Sequence, residues 1–307
     1  MTAELIARAA ATRTRAWVIT ACVLLGAAGL AQPQAPAPAS KPTPTVIKAP
    51  LPLVATEEVP FITTPDHVTV AMLELAGVGP HDQVLDLGSG DGRIVITAAR
   101  RFGARGMGVE IVPDLVATSR LNAQRAGVAD RAEFRTQDLF ETDLSTATVI
   151  TMYLLPEVNL QLRPKLLALA PGTRIVSHDW DLGDWSPDRT LTLAVPEKVV
   201  GREKLSRLHL WTVPARVHGL WCGERGTSLR VEQRHQRVSA TLDHAGDRRS
   251  FSGRVNGQQV QLMGASASLS ARVEARGLRV EAVSGALPLQ ANQSMRHTDA
   301  AECPAPG

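Results

Sequence analysis

The chain has 307 residues, 44% apolar and 21% charged, with a net charge of only +3. These fractions suit an ordinary globular core, and the length suits one mid-sized domain with something smaller beside it. The slight basic excess points to no polyanion, and an aromatic content of 4% argues against a stacking platform for single-stranded bases; no nucleic-acid partner is expected.

Arg8, Arg13 and Arg15 precede an uncharged apolar run over 16–31 that ends in Gly29-Leu30-Ala31. A basic stretch, a short apolar core and small residues at its exit read as a signal peptide. The run is shorter than the roughly 20 residues a spanning helix needs. An uncleaved membrane anchor over 1–31 is the other reading, and it makes the N-terminus a membrane tether. Either places the remainder in the periplasm or facing it, because the arginines stay inside; a cytoplasmic location remains the alternative. Residues 32–58 are rich in Pro and Ala and cannot bury a core, so they read as an extended linker. Cys22 lies in the N-terminal segment, which leaves Cys222 and Cys303. In an oxidising compartment an even number pairs, and a Cys222–Cys303 disulfide is expected, with two separate thiols as the alternative.

Over 59–213 short apolar strands alternate with helical stretches. Strands are predicted at 83–87, 106–111, 132–135, 148–154 and 173–177, with helices at 92–102, from Pro113, and at 160–169; 190–195 and 207–213 read as a closing antiparallel pair. Such alternation predicts an α/β fold, a Rossmann-like doubly wound sheet of seven strands. After Pro214 the helical pattern stops. Six alternating segments between 228 and 282 are separated by turn signals, among them Asn256-Gly257. They predict a small antiparallel β domain over 214–290, a meander or barrel, followed by a poorly ordered tail over 291–307 unless Cys303 pins it.

The chemistry concentrates at the ends of the first strands. Gly88-Ser89-Gly90-Asp91-Gly92 follows a strand and opens a helix, a geometry that presents backbone N–H groups to a ligand. A dinucleotide site would place a third glycine where Arg93 stands. Asp86 and Asp91 would repel a pyrophosphate; they suit a ligand with an ammonium and a sulfonium, such as S-adenosylmethionine. Glu110 ends the second strand, where a carboxylate can accept both ribose hydroxyls. Asp138 follows the third strand and is placed to accept from an adenine amino group. Beyond strands four and five, Tyr153, His178 and Asp179, with Asp181, are candidates for lining the pocket or deprotonating a nucleophile. Each of these four also reads as an ordinary polar loop residue. Trp180 and Trp185 read either as a pocket wall or as packing.

Asp86-Leu87-Gly88-Ser89-Gly90-Asp91-Gly92-Arg93 resembles motif I of the seven-strand class I methyltransferases. Together with Pro60-Phe61-Ile62-Thr63-Thr64-Pro65 and Gly108-Val109-Glu110, it resembles the small protein-lysine methyltransferases of mitochondrial inner-membrane proteins and their bacterial relatives. The resemblance implies S-adenosyl-L-methionine as cofactor, a lysine amine of a protein as acceptor, and Thr63 and Thr64 near the cofactor's methionine end. Strand four departs from the Asn/Asp-Pro-Pro-aromatic pattern of many amide and adenine methyltransferases, since it reads Thr151-Met152-Tyr153-Leu154-Leu155-Pro156. A non-catalytic cofactor-binding or scaffold protein that uses its β domain for contacts is the competing reading. A dinucleotide oxidoreductase is disfavoured by Asp91 and Arg93. No cluster in the sequence suggests a metal site.

Overall fold

The computed structural model describes residues 62–199 and 203–304. The expected signal or anchor, and the linker, lie outside the described residues.

The first domain is built on a seven-stranded sheet in the order β3-β2-β1-β4-β5-β7-β6. Strands β1 (Gln83–Leu87), β2 (Arg105–Glu110), β3 (Ala132–Thr136), β4 (Val149–Met152) and β5 (Arg174–His178) pair in parallel; β6 (Arg189–Ala194) and β7 (Leu205–Thr212) close the edge antiparallel. Helices α1 (Asp66–Leu75), α2 (Arg93–Phe102), α3 (Pro113–Arg125) and α4 (Pro156–Leu167) cover it. The period of two in β1 sets the layers. Val84 joins Val68, Met72, Ile94 and Val149 on one face, while Leu85 and Leu87 join Ile150, Leu162 and Trp211 on the other. Burial on both faces explains why β4 is apolar throughout, as parallel central strands are. Strand β4 stops at Met152, two residues short of the expected end, because Pro156 starts α4 four residues earlier than its apolar spacing suggested.

The second domain is a closed barrel in the order β10-β11-β12-β13-β14-β15-β8-β9. Strands β9 (Thr227–Arg234), β10 (Arg237–His244), β11 (Asp247–Asn256), β12 (Gln259–Met263), β13 (Ser268–Glu274) and β14 (Gly277–Ser284) match the six expected segments. Closure comes from two strands the alternation did not reveal, β8 (Gly219–Cys222) and β15 (Ser294–Thr298). The segment expected as a tail over 291–307 unless Cys303 pinned it is pinned, by the expected Cys222–Cys303 disulfide, and carries a strand. Segment 294–298 is polar and puts one apolar side chain inward, the fully buried Met295. Its order comes from pairing with β14 and β8 and from the disulfide between Cys222 and Cys303. Closing the barrel removes the free edges that a six-strand sheet would expose.

The two domains meet along the connection between β5 and β6. Asp188 accepts from Arg254 at 2.7 Å, Asp184 from Arg234 at 3.1 Å, and the Ser186 carbonyl from Gln236 at 2.6 Å. Trp185 is fully buried there, in contact distance of Trp211 and His235, so it is core and not a pocket wall.

Candidate cofactor and acceptor site

The strand order reverses between β1 and β4, and open α/β sheets bind ligands outside the carboxyl ends at such a point. The Gly88–Gly92 loop lies there. Gly92 has φ +82°, and a Cβ on it would lie 2.6 Å from the Phe134 ring and 2.7 Å from Ser119. Gly108 is equally constrained, because a Cβ would meet Ser89 at 2.6 Å. These glycines let the loop, β2 and the Phe134 side chain close on one another beneath the pocket.

Glu110 is the hub of the cradle. One carboxylate oxygen accepts from the Gly90 amide at 3.1 Å, and the other accepts from the Ile111 and Val112 amides at 2.8 and 3.1 Å. A carboxylate offers about four acceptor positions, so one is left for a ligand hydroxyl. Asp138 accepts from the Phe140 amide at 2.7 Å, which fixes it in the turn after β3. Ser89 is buried and its hydroxyl has no partner. An orphaned donor beside the glycine loop and spare acceptor capacity on Glu110 fit a hydroxyl-rich, amine-bearing ligand.

The electrostatics differ from the sequence expectation. Asp91 does not face the pocket as a free anion: Arg93 pairs with both of its oxygens, at 2.7 Å for the closest contact, and also donates to the Thr64 carbonyl at 2.7 Å. Arg93 thereby ties the segment before α1 to the loop, a role that sequence spacing did not reveal. Asp86 is buried beneath the loop and accepts from Thr151 at 2.7 Å. Burial, and then the nearby Glu110 and Asp91 charges, push its carboxyl up to about 7 against the Thr151 hydrogen bond. Thr151 is its direct cross-strand neighbour, a pairing visible only once register is known.

At the ends of β4 and β5, the Tyr153 ring stacks on His178 with centroids 4.0 Å apart. His178 is buried, 2.8 Å from the Ser206 hydroxyl and 3.4 Å from that of Thr64. Desolvation lowers it to about 4, so it is neutral at physiological pH and unsuited to act as an imidazolium. Asp179 sits at φ +64°, clamped to Arg207 of β7 through its amide and through a carboxylate oxygen. Burial would raise its carboxyl, but the Lys198 ammonium, the Arg207 amide and His178 together hold it below the usual range. Its other oxygen meets Lys198 Nζ at 2.6 Å and the Tyr153 hydroxyl at 3.4 Å. Burial and Asp179 push the Tyr153 phenol up to about 12, so it stays a neutral donor.

The structure therefore brings together Thr64, Asp86, Gly88, Ser89, Gly90, Gly92 and Glu110, with Tyr153, His178 and Asp179 beside them. Thr63 is exposed, and Asp181 is engaged with the Gly183 amide at 3.0 Å. Sequence reasoning missed Asn159, a buried amide on α4. Its nitrogen donates to Ser177, Trp180 and Asp181 at 3.2–3.3 Å and braces the loop after β5.

Residues 86–189 match the ANTKMT methyltransferase domain family. The chain is 45% identical over 135 residues to a protein-lysine N-methyltransferase of Saccharolobus islandicus, covering 43% of this chain and 84% of that one. It is 37% identical over 132 residues to the mouse adenine nucleotide translocase lysine N-methyltransferase, covering 42% of this chain and 57% of the mouse enzyme. The chain thus spans little more than half of that mammalian relative. A solved RNA methyltransferase from Salinibacter ruber, in complex with S-adenosyl-L-homocysteine, is 54% identical, with 51% of this chain and 96% of that one covered at a TM-score of 0.47. The chain belongs to the class I S-adenosylmethionine-dependent methyltransferases, in the family of the Saccharolobus protein-lysine N-methyltransferase.

Proposed function

We propose that this chain transfers a methyl group from S-adenosylmethionine to a lysine amine of a protein. The observation that carries the acceptor reading is the ionised Asp179 carboxylate beside Tyr153, which already holds a lysine ammonium at 2.6 Å. Glu110 would hold the ribose, Asp138 the adenine side, and Asp86, Ser89 and the Gly88–Gly92 backbone the amino-acid end. The cofactor supplies an activated methyl group on a sulfonium. What remains for the protein is positioning, worth several kcal/mol in well-oriented reactions, and removal of one proton from the acceptor. Asp179 pairs with the incoming ammonium, and Tyr153 donates to the same carboxylate oxygen.

Transfer of labelled methyl from S-adenosylmethionine to added poly-lysine tests the reading. Glu110→Ala should abolish cofactor binding in calorimetry along with transfer. Asp179→Asn should keep binding and lower kcat by about a hundredfold, the cost of an acceptor amine no longer held in line by the carboxylate. Wild-type protein that binds the cofactor yet never labels a lysine would overturn it.

We further propose that the chain is exported, or anchored through residues 1–31 with its folded part outside the cytoplasm. The apolar run over 16–31 and the Cys222–Cys303 disulfide support this. N-terminal sequencing of the mature protein in each cell fraction tests it.

A further inference from the structure

Lys198 does more than decorate the surface. Its side chain is only 13% exposed, its ammonium lies 2.6 Å from Asp179, and it also donates to the Leu205 carbonyl at 2.5 Å. Exposed ion pairs rarely decide anything, but this carboxylate is 15% exposed and held by β7 in a left-handed backbone conformation that costs energy. The pair also sits at a defined place in the sheet. Asp138 follows β3, Glu110 ends β2 and Asp86 lies in β1, so these three would hold the cofactor's adenine, ribose and methionine parts in an order that leads toward β4. The next groups along that line, at the ends of β4 and β5, are Tyr153 and Asp179.

We propose that Asp179 and Tyr153 form the acceptor-amine subsite, that Lys198 occupies it in the free protein, and that the chain methylates Lys198 in cis. The inference rests on the lysine reading above. In the step, the Lys198 ammonium releases one proton to solvent while the Asp179 carboxylate, held too acidic to keep a proton, orients the amine. The freed lone pair forms the N–C bond as the methyl's C–S bond breaks, and the sulfur keeps that electron pair as a neutral thioether. An external lysine must displace Lys198 from Asp179 to react.

The chain has five lysines, at positions 41, 48, 165, 198 and 204, which makes peptide mapping unambiguous. The full-length protein is incubated with methyl-labelled S-adenosylmethionine over a dilution series, with and without poly-lysine. The expected result is label on Lys198 at a rate independent of protein concentration. Lys198→Met should lose that label. If Lys198 fills the subsite about two thirds of the time, its removal also lowers KM for poly-lysine about threefold. Labelled poly-lysine with Lys198 unmodified overturns this inference and leaves the lysine reading standing. Label on Lys198 that appears only at a concentration-dependent rate overturns the cis step. No label on either, with cofactor bound, overturns both readings.

Discussion

Asp86 gives the sharpest test of the site's electrostatics. Its carboxyl is raised from 3.8 to about 7, chiefly by burial. A carboxyl raised on folding favours the neutral form, so its cost is absent at low pH. The cost grows as pH rises from about 4, where the unfolded chain ionises, to about 7, where the folded one does. Over that window the shift amounts to about 4 kcal/mol of lost stability. Asp86→Asn removes the ionisation and keeps an acceptor for Thr151, but it adds amide hydrogens that a buried site leaves unpaired at about 1–3 kcal/mol. The net expectation at pH 8 is a gain of about 1–3 kcal/mol, or about 2–4 °C per kcal/mol for a protein of this size. At pH 4 the gain disappears and only the amide penalty remains. The assay is thermal unfolding of cofactor-free wild type and variant from pH 4 to 9, read as the difference between them. Cofactor affinity should move the other way, falling in the variant, because a cationic ligand favours the ionised carboxylate. A difference in stability that is flat with pH, or that grows toward acid, would refute the assignment of a raised carboxyl to Asp86.

Two further predictions concern the scaffold. Gly92→Ala places a methyl group 2.6 Å from Phe134 in a left-handed residue, so it should cost about 1–2 kcal/mol for the backbone alone, with more for the overlap. Chemical denaturation would show this, together with loss of cofactor binding; a variant as stable as wild type would contradict the packing described. Cys222→Ser with Cys303→Ser opens a loop of sequence separation 81 and should cost about 2–4 kcal/mol. Hydrogen exchange should then rise first in β15, which pairs with β14 at only two positions. Uniform exchange across the barrel would argue that the disulfide does not hold that strand.

The local pattern in the chain determined a good deal. Alternation of strand and helix, the glycines at 88, 90 and 92, and acids at successive strand ends are periodic or nearest-neighbour features, and they specify the sheet and its ligand-binding edge. Six strands of the barrel were legible for the same reason, since each alternates with a period of two and ends in a turn. What only the tertiary structure decided are properties of residues far apart in the chain. Strand β8 is only four residues long and β15 has one buried apolar residue, too little alternation to stand out, and their pairing with each other closes the barrel. Asp91 looked like a free anion until Arg93 paired with both of its oxygens. The acidity of Asp86 depends on its burial and on Thr151, which is 65 residues away in the chain and which register places beside it. Lys198 reaches Asp179 only because β7 folds back along β5. Charge and protonation depend on solvent exclusion and distance in space, and the linear order of residues encodes neither until the chain is packed.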